Sequence, residues 1–266
     1  MSFNIGASIG KVPVMVEKYL TSSRISQYKL SSKDAIDLII IENPECALTD
    51  RQKDSLPGQL EAIMQKTTGL RRTSEQVRRY AFGIADRGRT LCLLEKDAIP
   101  IGFVSYHLIN TDGTFVRDNG GNTIIHTGSG HILPEYQGRN YVLSSFRYYC
   151  RQLPDDLKPG YLSGLTQSPR LLHLINTWFK DVYPTTRVDN PFIPELRRVQ
   201  ELVLPIITQG LGQNLSINLG CKVSGISDDR VYAKPIYSHS DYDDLVYKQL
   251  QLKEGDFIHF IARTRD

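Results

Sequence analysis

The stretch that most constrains the fold is Ile124 to Leu153, which reads IIHTGSGHILPEYQGRNYVLSSFRYYCRQL. It opens with apolar and β-branched residues, passes Pro134, and turns at Gln137-Gly138-Arg139-Asn140. Beyond the turn, Val142, Phe146, Tyr149 and Leu153 recur at the spacing of one buried helical face. A strand, a polar turn and a helix in this order leave N–H groups at the helix start without intrahelical partners. The helix dipole favours negative charge at that end. The segment therefore predicts a turn able to grip an anion. The plain alternative is a strand-to-helix connection with no ligand.

Composition narrows the class of protein. The 266 residues are enough for one large domain or two small ones. A hydrophobic content of 40% and a charged content of 23% are those of an ordinary globular chain. A net charge of +3 gives no basis for a nucleic acid or membrane-surface partner. Cys46, Cys92, Cys150 and Cys221 lie far apart, with no metal-ligand or disulfide spacing, so no metal is expected and a reducing, cytoplasmic setting is. No apolar run approaches the roughly 20 residues of a membrane span, and no secretory signal is visible. Gly6 to Lys11 hints at a phosphate loop, but the spacing is one residue short and Val12 replaces the hydroxyl residue, so residues 1–24 are read as a terminal arm.

The remaining elements follow from periodicity and punctuation. Ile25 to Leu30 predicts a strand, and Ser31 with Asp34 predicts a capping box that opens a helix through Glu42, stopped by Pro44. Leu56 to Lys66 predicts a helix. Thr73 with Gln76 predicts a further capping box, with Val77, Tyr80, Ala81 and Ile84 on the apolar side and Gly88 at the end. Strands are expected at Thr90 to Leu94 and Ile101 to Ile109, joined by a turn at Lys96-Asp97-Ala98, and again from Thr123 after a loop at Asn110 to Asn122. Tyr161 to Thr166 predicts another strand. Ser168-Pro169 starts a helix carrying Leu171, Leu174, Ile175 and Trp178 on one side, and Pro184 closes the module. Farther on, a helix is expected over Pro194 to Ile207, a loop at Gln209 to Asn214, strands at Arg230 to Tyr237 and Phe257 to Thr264, and a helix from Asp241 to Leu252.

The residues HILPEYQGRNY resemble the acyl-CoA-binding motif of the GNAT superfamily of N-acetyltransferases. In that motif an apolar strand ends near a proline, and a Gln/Arg-x-x-Gly-x-Gly/Ala turn caps a helix. Gly138 matches the central glycine, whereas Glu135 and Asn140 depart from the first and last positions. The resemblance implies an α/β (α+β) fold with a mixed, largely antiparallel central sheet flanked by helices. It spans residues 25–184, with residues 185–266 as a C-terminal extension completing the sheet.

The resemblance also implies direct acetyl transfer from acetyl-CoA, a co-substrate, to an amine acceptor whose identity the sequence does not give. The pyrophosphate would meet Gln137, Gly138, Arg139, Asn140 and Tyr141. The pantetheine arm would bond the backbone near Ile132 and Leu133, and an amide near Leu133 would steady the oxyanion. His131 and His126 are the candidate bases, with His107 a weaker one. Five residues apart, they face opposite sides of a regular strand. A structural, hydrogen-bonded histidine is the competing reading for each. The family's tyrosine acid has no counterpart at Leu174 or Ile175, and Tyr183 is the nearest candidate. A non-catalytic acyl-CoA-binding or protein-interaction module of the same fold is therefore the alternative function. The acidic residues Asp241, Asp243 and Asp244 read equally as a solvated helix start or as an attraction for a cationic acceptor.

Overall fold

The computed structural model describes residues 24–31, 34–82, 89–110, 123–186, 193–208, 216–218, 220–224, 236–253 and 255–264. The expectations for Gly6 to Lys11, Ile84, Gly88, residues 111–122, Gln209 to Asn214 and residues 230–235 lie outside them. The chain forms two compact units, one within Val14–Pro159 and the other within Gly160–Asp266. The boundary falls inside the stretch 25–184, because the strand at Tyr161 takes its antiparallel partner from the C-terminal end of the chain.

In the first unit, β1 (Arg24–Ser31), β2 (Ile36–Glu42), β3 (Arg89–Lys96), β4 (Ile99–Asn110) and β5 (Thr123–Ile132) pair antiparallel in sequence order. Short helix α1 (Pro44–Ala47), α2 (Asp50–Thr68) and α3 (Ser74–Ala81) separate β2 from β3, and α4 (Tyr141–Gln152) follows β5. The capping box expected at Thr73 is present, and Thr49 with Gln52 makes another at the start of α2.

The expected helix at Ser31 to Glu42 is instead strand β2. One bond of the supposed box exists, Asp34 N–H donating to Ser31 Oγ at 3.2 Å, while the bond received by Asp34 Oδ2, also 3.2 Å, comes from the Ser31 hydroxyl. They close a hairpin turn. Ala35 then takes a left-handed φ of 53°, which leaves the helical path. The sequence Ile36-Asp37-Leu38-Ile39-Ile40-Ile41 that follows is rich in β-branched residues that suit a buried strand.

Two layers of side chains pack on this sheet. On one face Leu91, Leu93 and Phe103 meet Leu60, Ile63 and Met64 of α2 and Val77 of α3. On the other, Tyr106 stacks on Tyr149 of α4 with centroids 5.2 Å apart and approaches Phe146 at 6.1 Å. Its hydroxyl lies 3.3 Å from Ser145 Oγ.

The second unit contains β6 (Pro159–Thr166), α5 (Pro169–Trp178), β7 (Val182–Tyr183), α6 (Ile193–Thr208), β8 (Ser216–Asn218), β9 (Lys222–Ser224) and β10 (Phe257–Arg263). Strand β10 pairs antiparallel with β6, β7 and β9, and β9 with β8. Ser168 caps α5, accepting from Leu171 N–H at 3.3 Å. The buried side of α5 carries Leu172 and Ile175, one residue round from the stripe expected through Leu171. The helix expected from Asp241 is one turn, α7 (Asp241–Asp243), continued by a π-helical segment Asp244–Gln249. Ile236 and Tyr237 lie outside any strand.

Candidate functional site

The turn between β5 and α4 is built by two left-handed residues. Gly138 has φ 78° and Asn140 φ 58°, conformations that glycine adopts freely and asparagine better than most residues. The departure at Asn140 therefore keeps the turn. Turns in which right- and left-handed residues follow one another can draw successive amides toward one concave side. Asn140 C=O accepts the first intrahelical bond, from Ser144 N–H at 2.9 Å, so the amides of Tyr141, Val142 and Leu143 precede the helical ladder. Beside Gly138 the position of an added Cβ is open space, so its glycine is required by conformation. Glu135 is exposed on a 3₁₀ turn, Pro134–Tyr136.

Two amides expected at the site are already engaged. Gln137 N–H donates to Pro134 C=O at 3.2 Å, so the available run starts at Gly138. Leu133 N–H donates to Ile101 C=O at 2.9 Å, which removes it as an oxyanion donor. Alternation along an antiparallel strand then turns the polar backbone of Ile132 toward the opposite edge, where its carbonyl accepts from Gln137 Nε2 at 2.9 Å. The backbone edge expected at Ile132 and Leu133 is thus that of Ile132 alone.

Asp34 joins the turn from far along the sequence. Its carboxylate accepts from Tyr141 Oη at 2.7 Å and from Arg139 Nη1 at 3.3 Å. The Arg139 guanidinium also lies 5.8 Å from the Tyr136 ring centroid, as does Lys96 Nζ. Burial, followed by the bond to Asp34, raises the pKa of the Tyr141 phenol. Nothing in the sequence marks Asp34 as a site residue, because Ser31-x-x-Asp34 reads as a helix cap.

The two strand histidines share a face, contrary to the expectation of opposite sides. Val104 pairs with Gly130 but Tyr106 with Thr127, so β5 carries one extra residue, a bulge. His131 opposite Phe103 and His126 opposite His107 therefore point the same way. Gly128 lies in this bulge, and a Cβ there would come within 2.5 Å of Ser105 Oγ, which would have to move.

Both imidazoles are core groups. His131 Nδ1 lies 2.9 Å from Thr67 Oγ1, and that hydroxyl is 3.0 Å from the carbonyls of both Ile63 and Met64. With the hydroxyl proton on a helix carbonyl, Nδ1–H is the donor to Thr67. Burial, and after it the charge of Arg72, lowers the pKa of His131 to about 4; burial and Arg89 lower that of His126 to about 3. A base this weak is poorly matched to neutral pH.

In the second unit, Tyr183 is buried on β7 opposite Ile261, with the Arg197 guanidinium 5.1 Å from its ring centroid. Burial raises its phenol pKa and keeps it protonated. Among the described residues there is no group of three or more His, Cys, Asp or Glu able to hold a metal ion, and no helix long and apolar enough to cross a membrane.

Comparison with solved structures returns acetyltransferases. A possible acetyltransferase from Clostridium difficile 630 is 11% identical, covering 53% of this chain and 86% of its own, with a TM-score of 0.36. A probable acetyltransferase is 11% identical over 90% of this chain and 98% of its own, with a TM-score of 0.38. Arabidopsis thaliana NAA60, in complex with a bisubstrate analogue, is 12% identical over 84% and 97%, with a TM-score of 0.34. No family model and no curated protein sequence matches the chain. At these TM-scores the likeness carries nothing about chemistry.

Proposed function

We propose that the protein binds acetyl-CoA at the β5–α4 turn and transfers its acetyl group directly to an amine. The observation that carries this reading is the left-handed pair Gly138 and Asn140, which gathers amides at the start of α4 beside the Arg139 guanidinium. A pyrophosphate is the ligand class that such a backbone cradle accepts. The outward N–H of Ile132, whose carbonyl is taken by Gln137 Nε2, suits an extended amide-containing arm of the kind acyl-CoA carries.

In the transfer a carbon–nitrogen bond forms as the thioester carbon–sulfur bond breaks. The amine loses a proton, and the departing thiolate takes one up. His131 and His126 stay neutral at pH 7 and are engaged in packing, so neither is assigned as the base. Tyr183 stays protonated but is buried within the second unit, and it is not assigned as the acid.

Titration calorimetry of the full chain with acetyl-CoA tests the reading. Saturable binding of about one ligand per chain supports it, with a loss of about tenfold in R139A. No binding by a folded protein removes it. Release of free CoA thiol in the presence of amines then tests transfer.

A second reading is favoured by one specific observation. The α5 positions where a tyrosine acid was expected hold Leu174 and the buried Ile175. Acyl-CoA binding without turnover would identify a non-catalytic module.

A further inference from the structure

We infer that Asp34 is the positioning residue of this site: from the turn between β1 and β2 it holds Arg139 and Tyr141 in the arrangement that receives the acyl-CoA phosphates. The inference rests on the acyl-CoA reading above and names a residue 105 positions upstream of the motif arginine.

The geometry supports a role in orientation. Each carboxylate oxygen has its own partner: Oδ1 takes Arg139 Nη1 at 3.3 Å, and Oδ2 takes the Tyr141 hydroxyl at 2.7 Å. Asp34 is itself fixed, since its amide donates to Ser31 Oγ at 3.2 Å and Oδ2 also accepts from that hydroxyl. The side chain of Arg139 is 47% exposed, which leaves an edge for an incoming anion. A long side chain loses entropy when it is ordered, so an arginine held in advance binds at lower cost than a free one. Tyr141 is the first residue of α4, and its bond to Asp34 fixes the helix start whose amides form the cradle. Tyr148 extends the attachment: its ring lies 5.9 Å from that of Tyr28, and its hydroxyl donates to Lys29 C=O at 3.5 Å.

The alternative is that the Asp34 charge merely competes with the ligand for Arg139. The two roles have opposite signs. Positioning makes removal of the carboxylate weaken binding; competition makes it tighten binding.

The test is a double-mutant cycle on the full chain, with acetyl-CoA affinity as readout and the melting temperature as a check on folding. D34A is expected to weaken binding about fivefold in the wild-type background and only about twofold when Arg139 is already alanine, the remainder passing through Tyr141. D34N, which keeps oxygen and nitrogen where the carboxylate was, is expected to stay within about twofold of wild type. Y141F removes one of the two attachments and is expected to fall between them. A loss in D34A that is the same with and without Arg139 would reduce Asp34 to a structural residue and overturn the inference, as would tighter binding by D34A. In either case acetyl-CoA binding by the wild type, and the function proposed from it, would stand. No binding by the wild-type protein would remove both.

Discussion

Both units bury imidazoles, His126 and His131 in the first and His259, 2.9 Å from Ser163 Oγ, in the second, but the second adds a buried ion pair. The first places neutral imidazoles in its core, with His131 against Thr67 and His126 beside His107. The second buries an ion pair, Lys222 Nζ to Asp256 Oδ2 at 2.8 Å, with the side chains 12% and 9% exposed. Lys222 also donates to the carbonyls of Leu250 and Gln251, and Asp256 accepts from Lys253 N–H, so the pair joins β9 to the segment leading into β10. The contrast shows two solutions to one cost. A titratable group leaves water either by giving up its charge or by keeping it beside a partner. The first solution makes a fold sensitive to mild acid, and the second makes it sensitive to loss of the partner.

Breaking the ion pair has the largest expected effect. K222M leaves the Asp256 carboxylate without its cation and should cost the second unit about 3–5 kcal/mol. The single tryptophan, Trp178, lies in that unit, so its emission during urea unfolding measures the loss. A cost below about 1 kcal/mol would mean that the pair behaves like a surface contact.

Acid sharpens the comparison. In the unfolded chain both imidazoles take a proton near the ordinary value of 6.5, and in the folded unit only at about 4 and about 3. The unfolded state therefore holds more protons between these values, so stability is full above 6.5 and falls as pH drops through the window. Each imidazole contributes a loss of about 1.4 kcal/mol per pH unit there. Asp256 behaves otherwise. Burial raises its pKa, while Lys222 and the Lys253 amide lower it further, leaving it below the ordinary 3.8. Its contribution is present above that value and is lost only as pH falls below it. Denaturation followed at pH 7, 6 and 5 should show the first unit weakening and the Lys222–Asp256 pair unaffected. In H126N the slope should be shallower.

G128A probes the bulge that brings the histidines to one face. Its new Cβ would lie 2.5 Å from Ser105 Oγ, with an expected cost of about 1–3 kcal/mol. S105A in the same chain should recover most of it. No recovery would move the cause to the backbone conformation of the bulge. The smallest effect is expected at the exposed pair of Arg78 with Glu45, where Nε–Oε1 and Nη2–Oε2 are both 2.7 Å. R78K loses the two-pronged geometry and should cost under about 1 kcal/mol in thermal unfolding.

Much of this architecture was legible in the sequence, and the errors have common causes. The caps at Thr73 and Ser168, the turn at Asp97-Ala98 and the strand–turn–helix at Gly138 are local, and each rests on backbone chemistry within a few residues. Ser31-x-x-Asp34 gave a true local signal with the wrong continuation, because the bond from Asp34 N–H to Ser31 Oγ closes a hairpin turn as well as a helix start. The engaged amides of Leu133 and Gln137 were invisible, since the first depends on its register against Ile101 on a neighbouring strand.

By itself, then, the sequence determined the α/β class, most of the element order and the left-handed turn at Gly138 and Asn140, because these depend on short-range sterics and periodicity. Tertiary structure alone decided that one extra residue in β5 brings His126 and His131 to a single face, that Thr67 holds His131, and that Asp34 meets Arg139 and Tyr141. These outcomes depend on strand register and on contacts between residues far apart in the chain. No local pattern encodes them, because a side chain's partner is fixed only when the sheet and its helices have packed.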